Sequence, residues 1–184
     1  HLWAETYDRN LSKTSVFEIQ DELSQAIASI IGDLFGVLGQ VLFEKLKQED
    51  VENLDSEQSI AFVNAYYRTM DPELHLRARE VIERAATRDP ENGNVWAMVA
   101  HICADEFAFG FNPLPDSLDR ALEASQKAVE LEPNSDRTHA ALAKVYFFRG
   151  NISNALSESE RALKINPHST ARLFQHGYIV ALSG

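Results

Sequence analysis

One spacing of small residues and proline occurs three times in this chain and constrains its fold more than any other feature. Two alanines seven residues apart are followed five residues later by a proline. The three sets are Ala78, Ala85 and Pro90; Ala121, Ala128 and Pro133; and Ala155, Ala162 and Pro167. A separation of seven places both alanines on one face of a helix, where small side chains let a neighbouring helix approach closely. Because proline ends such a helix, the spacing predicts repeated helical units.

The repeat that ends at Pro167 resembles the tetratricopeptide pattern. Pro133 and Pro167 are 34 residues apart, which is the length of a tetratricopeptide unit. His139 replaces the usual tryptophan of helix A, and Ser159 replaces the usual aromatic residue of helix B. The residues that match the family pattern are Leu142, Ala143, Tyr146, Gly150, Ala155, Ala162 and Pro167. The resemblance implies an all-α superhelix of antiparallel helix pairs, each with a helix A and a helix B.

The same frame divides the rest of the chain into units. The predicted units are 59–92, 93–135, 136–169 and, as helix A of a truncated fourth unit, 170–184. In the second unit the closing prolines are 43 residues apart rather than 34, and the excess falls at 107–115. Because Gly110 and two prolines oppose a continuous helix there, we expect an ordered, aromatic-rich loop.

The amino-terminal residues resemble a second family. Residues 1–9 read HLWAETYDR and residues 16–22 read VFEIQDE, similar to the closing strand and helix of a TolB-like amino-terminal domain. In that family tetratricopeptide repeats follow, in bacterial proteins with a class III adenylate cyclase domain or a winged-helix DNA-binding domain. The resemblance implies that residues 1–14 are a remnant of that strand and that the chain is a fragment of a longer signalling protein.

Residues 15–50 are predicted to form one long amphipathic helix. The stretch 23–43 has a single charged residue, Asp33, and is long enough to cross a bilayer, which takes about 20 residues. A polar stripe nevertheless recurs along it, formed by Gln25, Ser29, Asp33 and Gln40. An apolar stripe lies opposite, so packing on the repeats is favoured over membrane insertion.

The composition restricts the classes of partner. With 17 Lys and Arg against 28 Asp and Glu, the chain has a formal net charge of −11 and no basic run. Nucleic acids and anionic membranes both reward clustered cations, so neither is expected as a partner. The one cysteine, Cys103, excludes an internal disulfide framework and is expected to be a small buried side chain.

No sequence motif indicates catalysis or metal binding. None of the six histidines lies in an HExxH motif, and there is no GxSxG elbow or glycine-rich phosphate loop. His101 and Asp105 are four residues apart on a predicted helix and could orient an imidazole, although a groove contact is favoured. The chain is therefore predicted to be non-enzymatic, with no cofactor and no metal.

The predicted site is the concave surface that the A helices line, a preformed groove for a protein or an extended peptide. The family's groove positions correspond to Tyr67, Asn94, His101, Asp105, Arg137, Lys144, Phe148, Phe174 and Tyr178. Arg137 and Lys144 are the strongest candidates for ligand contact, whereas Phe174 and Tyr178 could instead cover core left open at the end of the repeats. The carboxylate clamp of chaperone-binding relatives is not expected, although Arg137 fits one of its positions. Four others are occupied by Val63, Tyr67, Met98 and Ala141.

The leading functional hypothesis is a scaffold or sensor module of a larger bacterial signalling protein. The alternative is a segment that controls dimerisation of an adenylate cyclase-like protein or of a winged-helix transcription regulator. A homodimer could then form through an exposed strand edge around Trp3 and Tyr7. We expect a cytoplasmic location, or a periplasmic one if the protein is a winged-helix regulator.

Overall fold

The computed structural model describes residues 48–183, together with Gln20, Ser24, Val41 and residues 44–46. In this part of the chain a short 3-10 turn at Val51–Asn53 precedes seven α-helices. They are α1 (Ser56–Tyr66), α2 (Pro72–Arg88), α3 (Gly93–Phe109), α4 (Ser117–Leu131), α5 (Asp136–Phe148), α6 (Ile152–Ile165) and α7 (Thr170–Leu182). No strand occurs among the described residues, and the predicted all-α repeat superhelix is confirmed.

The predicted amphipathic helix and the extended segment before it fall mostly outside the described residues. Residues 44–46 are helical, and Leu46 is buried in the core together with Leu54. Arg77 on α2 donates a hydrogen bond from Nη2 to the carbonyl oxygen of Glu49 at 2.7 Å. These contacts attach the segment before α1 to α2. None of the described helices is both long enough and apolar enough to cross a bilayer.

Polar side chains fix where the first helices begin. Asp55 accepts a hydrogen bond from the amide of Gln58, whose side chain in turn accepts from the Asp55 amide, which completes a capping box for α1. Asp71 caps α2 just ahead of Pro72, whose missing amide is harmless at the first helical position. Asn92 caps α3 in the same way. Each such cap contributes about 1 kcal/mol to helix stability.

The repeated small residues lie where helices approach most closely. All six repeat alanines, from Ala78 to Ala162, are at most 1% exposed. At Gly93 a Cβ atom would stand 2.8 Å from the carbonyl oxygen of Ala128, so α3 and α4 can approach this closely only with glycine there. The small side chains thus determine how tightly each helix pair closes.

The contacts between helices identify the inner face of the superhelix. Helices α1, α3, α5 and α7 form a row in which each helix contacts the next. Among the described helices, α2, α4 and α6 contact members of that row but not one another. Successive helices of the first row are thus closer together than those of the second row. The more closely spaced row lies on the concave side of a curved superhelix. We call this surface the A-helix row.

The inserted segment begins later than predicted. Helix α3 continues through residues 107–109 and ends only at Gly110, which adopts a left-handed conformation with φ +66°. The prediction placed these three residues in the loop because prolines follow, but both prolines come after Gly110 and cannot end the helix earlier. The loop itself is held by Arg79, which donates to the carbonyl oxygen of Asn112 at 2.8 Å.

Candidate functional site

The centre of the A-helix row contains a buried ion pair that joins three repeat units. Asp105 on α3 is fully buried, and its Oδ1 accepts a hydrogen bond from Nζ of Lys144 on α5 at 2.5 Å. Its Oδ2 accepts a hydrogen bond from Oη of Tyr67, directly after α1, at 2.7 Å. Lys144 also donates to the carbonyl oxygen of His101 at 3.4 Å. The four residues link α1, α3 and α5.

In this network the ammonium charge of Lys144 is already paired within the protein. Because its ammonium group already pairs with a buried carboxylate, an external carboxylate would have to compete with Asp105. Burial, and then the charge of Asp105, hold the pKa of Tyr67 well above its usual range, so the phenol stays protonated and donates. In the described structure no hydrogen bond joins Asp105 to His101, since Lys144 and Tyr67 occupy both carboxylate oxygens.

Arg137, near the start of α5, has no hydrogen-bond or ion-pair partner among the described residues. Its side chain is half-buried. Asp136 beside it pairs instead with Nε of Arg172 at 2.9 Å. Burial, followed by the charge of Arg172, lowers the pKa of Arg137, while Asp136, Glu57 and Glu132 act in the opposite direction. The guanidinium remains charged at neutral pH because its ordinary pKa is above 12.

His101 contributes a neutral imidazole between these cations. Burial is the main cause that holds its pKa well below the usual range, and the charges of Lys144, Arg172 and Arg137 lower it further. A neutral imidazole has one donor and one acceptor nitrogen. The ring lies edge-on to the ring of Tyr67, with centroids 6.2 Å apart. At neutral pH this position therefore adds polarity without adding charge.

A series of aromatic rings extends from α3 to α7. The ring of Phe148 lies 6.2 Å from that of Phe107 and 5.5 Å from that of Phe147. Phe147 in turn lies 5.5 Å from Tyr178, which stacks on Phe174 at 6.4 Å. Such tilted and edge-on contacts are favourable arrangements for aromatic pairs. Three residues that the sequence analysis selected thus lie along one series of rings.

Asn94 is occupied by contacts within the protein. Its backbone amide donates to Oε1 of Glu132 at 3.3 Å, and its side-chain amide donates to the same carboxylate. Its Oδ1 accepts a hydrogen bond from Oγ of Ser135 at 2.8 Å. These bonds tie the start of α3 to the turn between α4 and α5, at a distance from the ion pair.

One charged residue near the site was missed by the sequence analysis. The charge of Arg172 acts on both Arg137 and His101. A step of 34 residues back from Arg172 leads to Thr138, which is fully buried, so the repeat period predicts core rather than groove at this position. Charge alone could have identified it, because Arg172 is the only Lys or Arg in residues 165–184.

The arrangement offers charge pairing and stacking to a ligand. Within the described ranges, no three His, Cys, Asp or Glu side chains are placed to hold a metal ion. Cys103 is buried, as the sequence predicted, and burial raises its pKa to about 12, so it remains a thiol. The site thus combines a guanidinium that no described residue pairs, the neutral imidazole of His101 and a series of aromatic rings.

Comparison with known proteins gives one curated relative at low identity. The chain matches no protein-family model. It is 28% identical over 148 residues to Putative adenylate cyclase 3 of Rhizobium meliloti (strain 1021). The match covers 78% of this chain and 24% of that protein, so the chain spans about a quarter of the length of the curated relative.

Several solved structures are similar to the chain, and two of the following three are tetratricopeptide repeat proteins. The second such domain of human RPAP3, in complex with an HSP70 peptide, is 15% identical, with 77% of this chain and 97% of that chain covered and a TM-score of 0.47. MamA is 20% identical, with 89% and 78% covered and a TM-score of 0.47. A thermophilic repeat protein of Thermus thermophilus is 16% identical, with 93% and 85% covered and a TM-score of 0.49.

Proposed function

We propose that the A-helix row binds an extended segment of a partner protein and that the chain is a non-enzymatic interaction module. The observation that carries this proposal is the half-buried guanidinium of Arg137, which has no partner among the described residues. A partly dehydrated charge without a partner is unfavourable. A carboxylate of the ligand would relieve this cost through two parallel hydrogen bonds, which suit the planar guanidinium.

The spacing along α5 indicates which segments would fit. Arg137 and Phe148 are eleven residues apart on one helix, which corresponds to about 16 Å along its axis. An extended peptide covers this distance in about five residues. The ligand would therefore carry an acidic residue at Arg137 and an apolar or aromatic residue about five positions away, beside Phe148. Nucleic acid remains excluded from the proposal because the chain has a net charge of −11.

A selection with displayed peptides tests this function. The probe is a library of random linear ten-residue peptides, selected against the immobilised 184-residue chain and against its Arg137→Glu variant. We expect the native chain to enrich peptides with Asp or Glu paired with an aromatic residue. Reversal of the charge should weaken these peptides at least about tenfold, the loss typical of one charge-assisted contact.

The matched control is Arg84→Glu. Arg84 lies on α2, away from the A-helix row, and its side chain is 58% exposed in an ion pair with Glu52. This variant has the same charge change at a position where an exposed pair contributes little. Equal peptide affinities for the Arg137→Glu and Arg84→Glu variants would contradict the proposal. Both variants must have the same melting temperature as the native chain for this comparison. Lys144 is unsuitable for the test because its replacement would break the pair with Asp105.

A second candidate function is the regulatory arm of a larger signalling protein with adenylate cyclase activity. The match to Putative adenylate cyclase 3 favours it, as does the resemblance of residues 1–9 and 16–22 to a TolB-like domain. In cells that express the natural gene, Arg137→Glu should change cyclic AMP formation while Arg84→Glu should not. Cyclic AMP at background level in cells with the intact gene would remove this candidate without affecting the peptide-binding proposal.

A further inference from the structure

A cleft on the outer side of the superhelix separates α2 from α4. Both helices pack on α3 rather than on each other, so α3 forms the floor between them. The cleft has a volume of about 600 Å³, within the range of about 300–1,000 Å³ that is typical of sites for small molecules. Its lining residues all lie within 83–127. Each of the three helices packs against the helix before it and the helix after it, so the cleft is flanked by complete repeats.

The floor of the cleft is apolar, and small residues line its two sides. Val99 and Cys103 on α3 are at most 9% exposed, while Ala86 on α2 and Ala124 on α4 line the sides. Because alanine fills little of the space, there is room for a flat apolar group between the two helices. The half-buried indole of Trp96 also lines the cleft. An aromatic ring packed beside it gains more than the area that it buries.

One cation of the cleft has no anionic partner. Thr87, Trp96 and Arg120 each donate to a carbonyl oxygen or a carboxylate within the protein. The half-buried ammonium of Lys127 forms no hydrogen bond or ion pair with any described residue and lies 4.0 Å from the centroid of the Trp96 ring. The cation–π contact positions this ammonium but does not neutralise its charge. Lys127 is therefore the group that would pair with an anion in the cleft.

The two carboxylates that line the cleft leave Lys127 available. The charges of Arg79 and Arg120 act on Glu83, which lies on α2. Glu123 is exposed one helical turn before Lys127, and no ion pair joins these two residues in the described structure. An exposed pair at this spacing is weak even where it forms. A ligand carboxylate that apolar contacts hold in the cleft therefore competes successfully for Lys127.

We propose that this cleft binds a small aromatic monocarboxylate. The carboxylate pairs with Nζ of Lys127, and the aromatic ring lies on the apolar floor between Ala86 and Ala124. A single negative charge is expected because the cleft supplies one available cation and the chain has a net charge of −11, which opposes a more strongly charged anion. This inference goes beyond the proposed peptide binding and does not depend on it, because Arg137 does not line the cleft.

Titration of the 184-residue chain with 3-phenylpropionate, followed by NMR, tests the site. The chain has two tryptophans, Trp3 and Trp96, and loss of one indole N–H resonance in Trp96→Phe identifies the signal from the cleft. We expect this signal to shift, with a dissociation constant on the order of 1 mM for a ligand of about eleven heavy atoms. The neutral probe 3-phenylpropanamide has the same shape, and it should bind at least about tenfold more weakly.

Two variants of α4 sharpen the test. Lys127→Gln removes the cation and should weaken binding of 3-phenylpropionate at least about tenfold. Glu123→Gln removes the nearest competing carboxylate and should strengthen binding about twofold. The matched control is Lys164→Gln, which makes the first change at an exposed position on α6 and should leave binding unaltered.

Three results would each overturn the proposal. The first is a Trp96 signal that does not move at up to about 20 mM 3-phenylpropionate. The second is equal affinity of the native chain for the acid and the amide, a comparison that needs no variant. The third is equal affinity of Lys127→Gln and Lys164→Gln for the acid.

Discussion

Two adjacent carboxylates on α3, Asp105 and Glu106, are both buried but point in different directions, because successive residues of an α-helix are about 100° apart. Asp105 faces the A-helix row, where one cation and one phenol satisfy it. Glu106 faces the inserted loop, where the guanidinium groups of Arg79 and Arg120 both bind it. The hydroxyl of Ser117 and the amide of Leu114 also donate to Glu106, at 3.0 and 3.3 Å.

The difference separates a cluster that stabilises the fold from the surface that we propose binds a ligand. Around Glu106 two guanidinium groups bind one buried carboxylate, and the charge of Glu83 also acts on both of them. These contacts hold the loop against α2 and α4. Around Asp105 the charges balance, and no described residue forms a hydrogen bond or ion pair with Arg137 on the neighbouring helix α5. The cations around Glu106 hold the inserted loop, whereas Arg137 is the cation that we propose contacts a ligand.

The largest effect is expected from Glu106→Gln, which breaks the structural cluster. Removal of the carboxylate charge leaves two guanidiniums close together, and the Arg79 side chain is only 12% exposed. Loss of one partner from a buried ion pair typically costs about 3–5 kcal/mol of the free energy of unfolding. Urea denaturation followed by circular dichroism measures this change.

Glu52→Gln is the control for that measurement. Glu52 pairs with Arg84, but their side chains are 75% and 58% exposed, so water replaces the lost contact and stability should not change measurably. If Glu106→Gln were as mild as Glu52→Gln, the cluster would not be what holds the inserted loop.

A smaller loss is expected from Asp105→Asn on the inner side of α3. The amide keeps an acceptor for Tyr67, and the ammonium of Lys144 can gain water because its side chain is 16% exposed. We expect a cost of about 2 kcal/mol, below that of Glu106→Gln. Denaturation of the two variants under identical conditions gives the order, and a larger loss for Asp105→Asn would reverse the comparison.

The repeated alanines and prolines allowed the fold to be predicted, because each acts within one helix or between sequence neighbours. Gly110, which the sequence analysis placed inside the loop, ends α3, so the predicted loop began three residues too early. Periodicity was sufficient here because buried small residues and helix ends follow from local geometry.

The partners of charged side chains could not be predicted in this way. Spacing on α3 suggested a contact between His101 and Asp105, yet Asp105 binds Tyr67 and Lys144, which are 38 and 39 residues away. Arg137 and Lys144 were equivalent candidates in the sequence, and only the packing of α3 against α5 distinguishes them. Which cation stays unpaired depends on contacts between repeats, and the repeat pattern contains no information about those contacts.

The pH dependence of stability should report the environment of His101. Its pKa is lowered in the folded protein, so below its usual value of about 6.5 the unfolded chain binds a proton that the folded chain does not. The stability from this group is therefore complete above about pH 6.5 and is lost as pH falls toward the lowered pKa, by up to about 1.4 kcal/mol per pH unit. Urea denaturation at a series of pH values from 7 to 5 measures how the free energy of unfolding changes with pH, for the native chain and for His101→Gln. The remaining titratable groups contribute equally to both proteins. Equal changes of the free energy of unfolding with pH would therefore contradict a buried, neutral His101.

The smallest effects should distinguish the two tyrosines beside Asp105. Tyr67→Phe removes a donor from the buried carboxylate and should cost about 1–2 kcal/mol of the free energy of unfolding. Tyr66 is fully buried, but its hydroxyl has no hydrogen-bond partner among the described residues. Tyr66→Phe keeps the ring contacts with Tyr67 and His75, at 5.0 and 5.5 Å, and removes only an unpaired polar atom. It should leave stability unchanged or raise it by up to about 1 kcal/mol. Denaturation of both variants provides the comparison, and a greater loss for Tyr66→Phe would show that its hydroxyl, rather than that of Tyr67, supports Asp105.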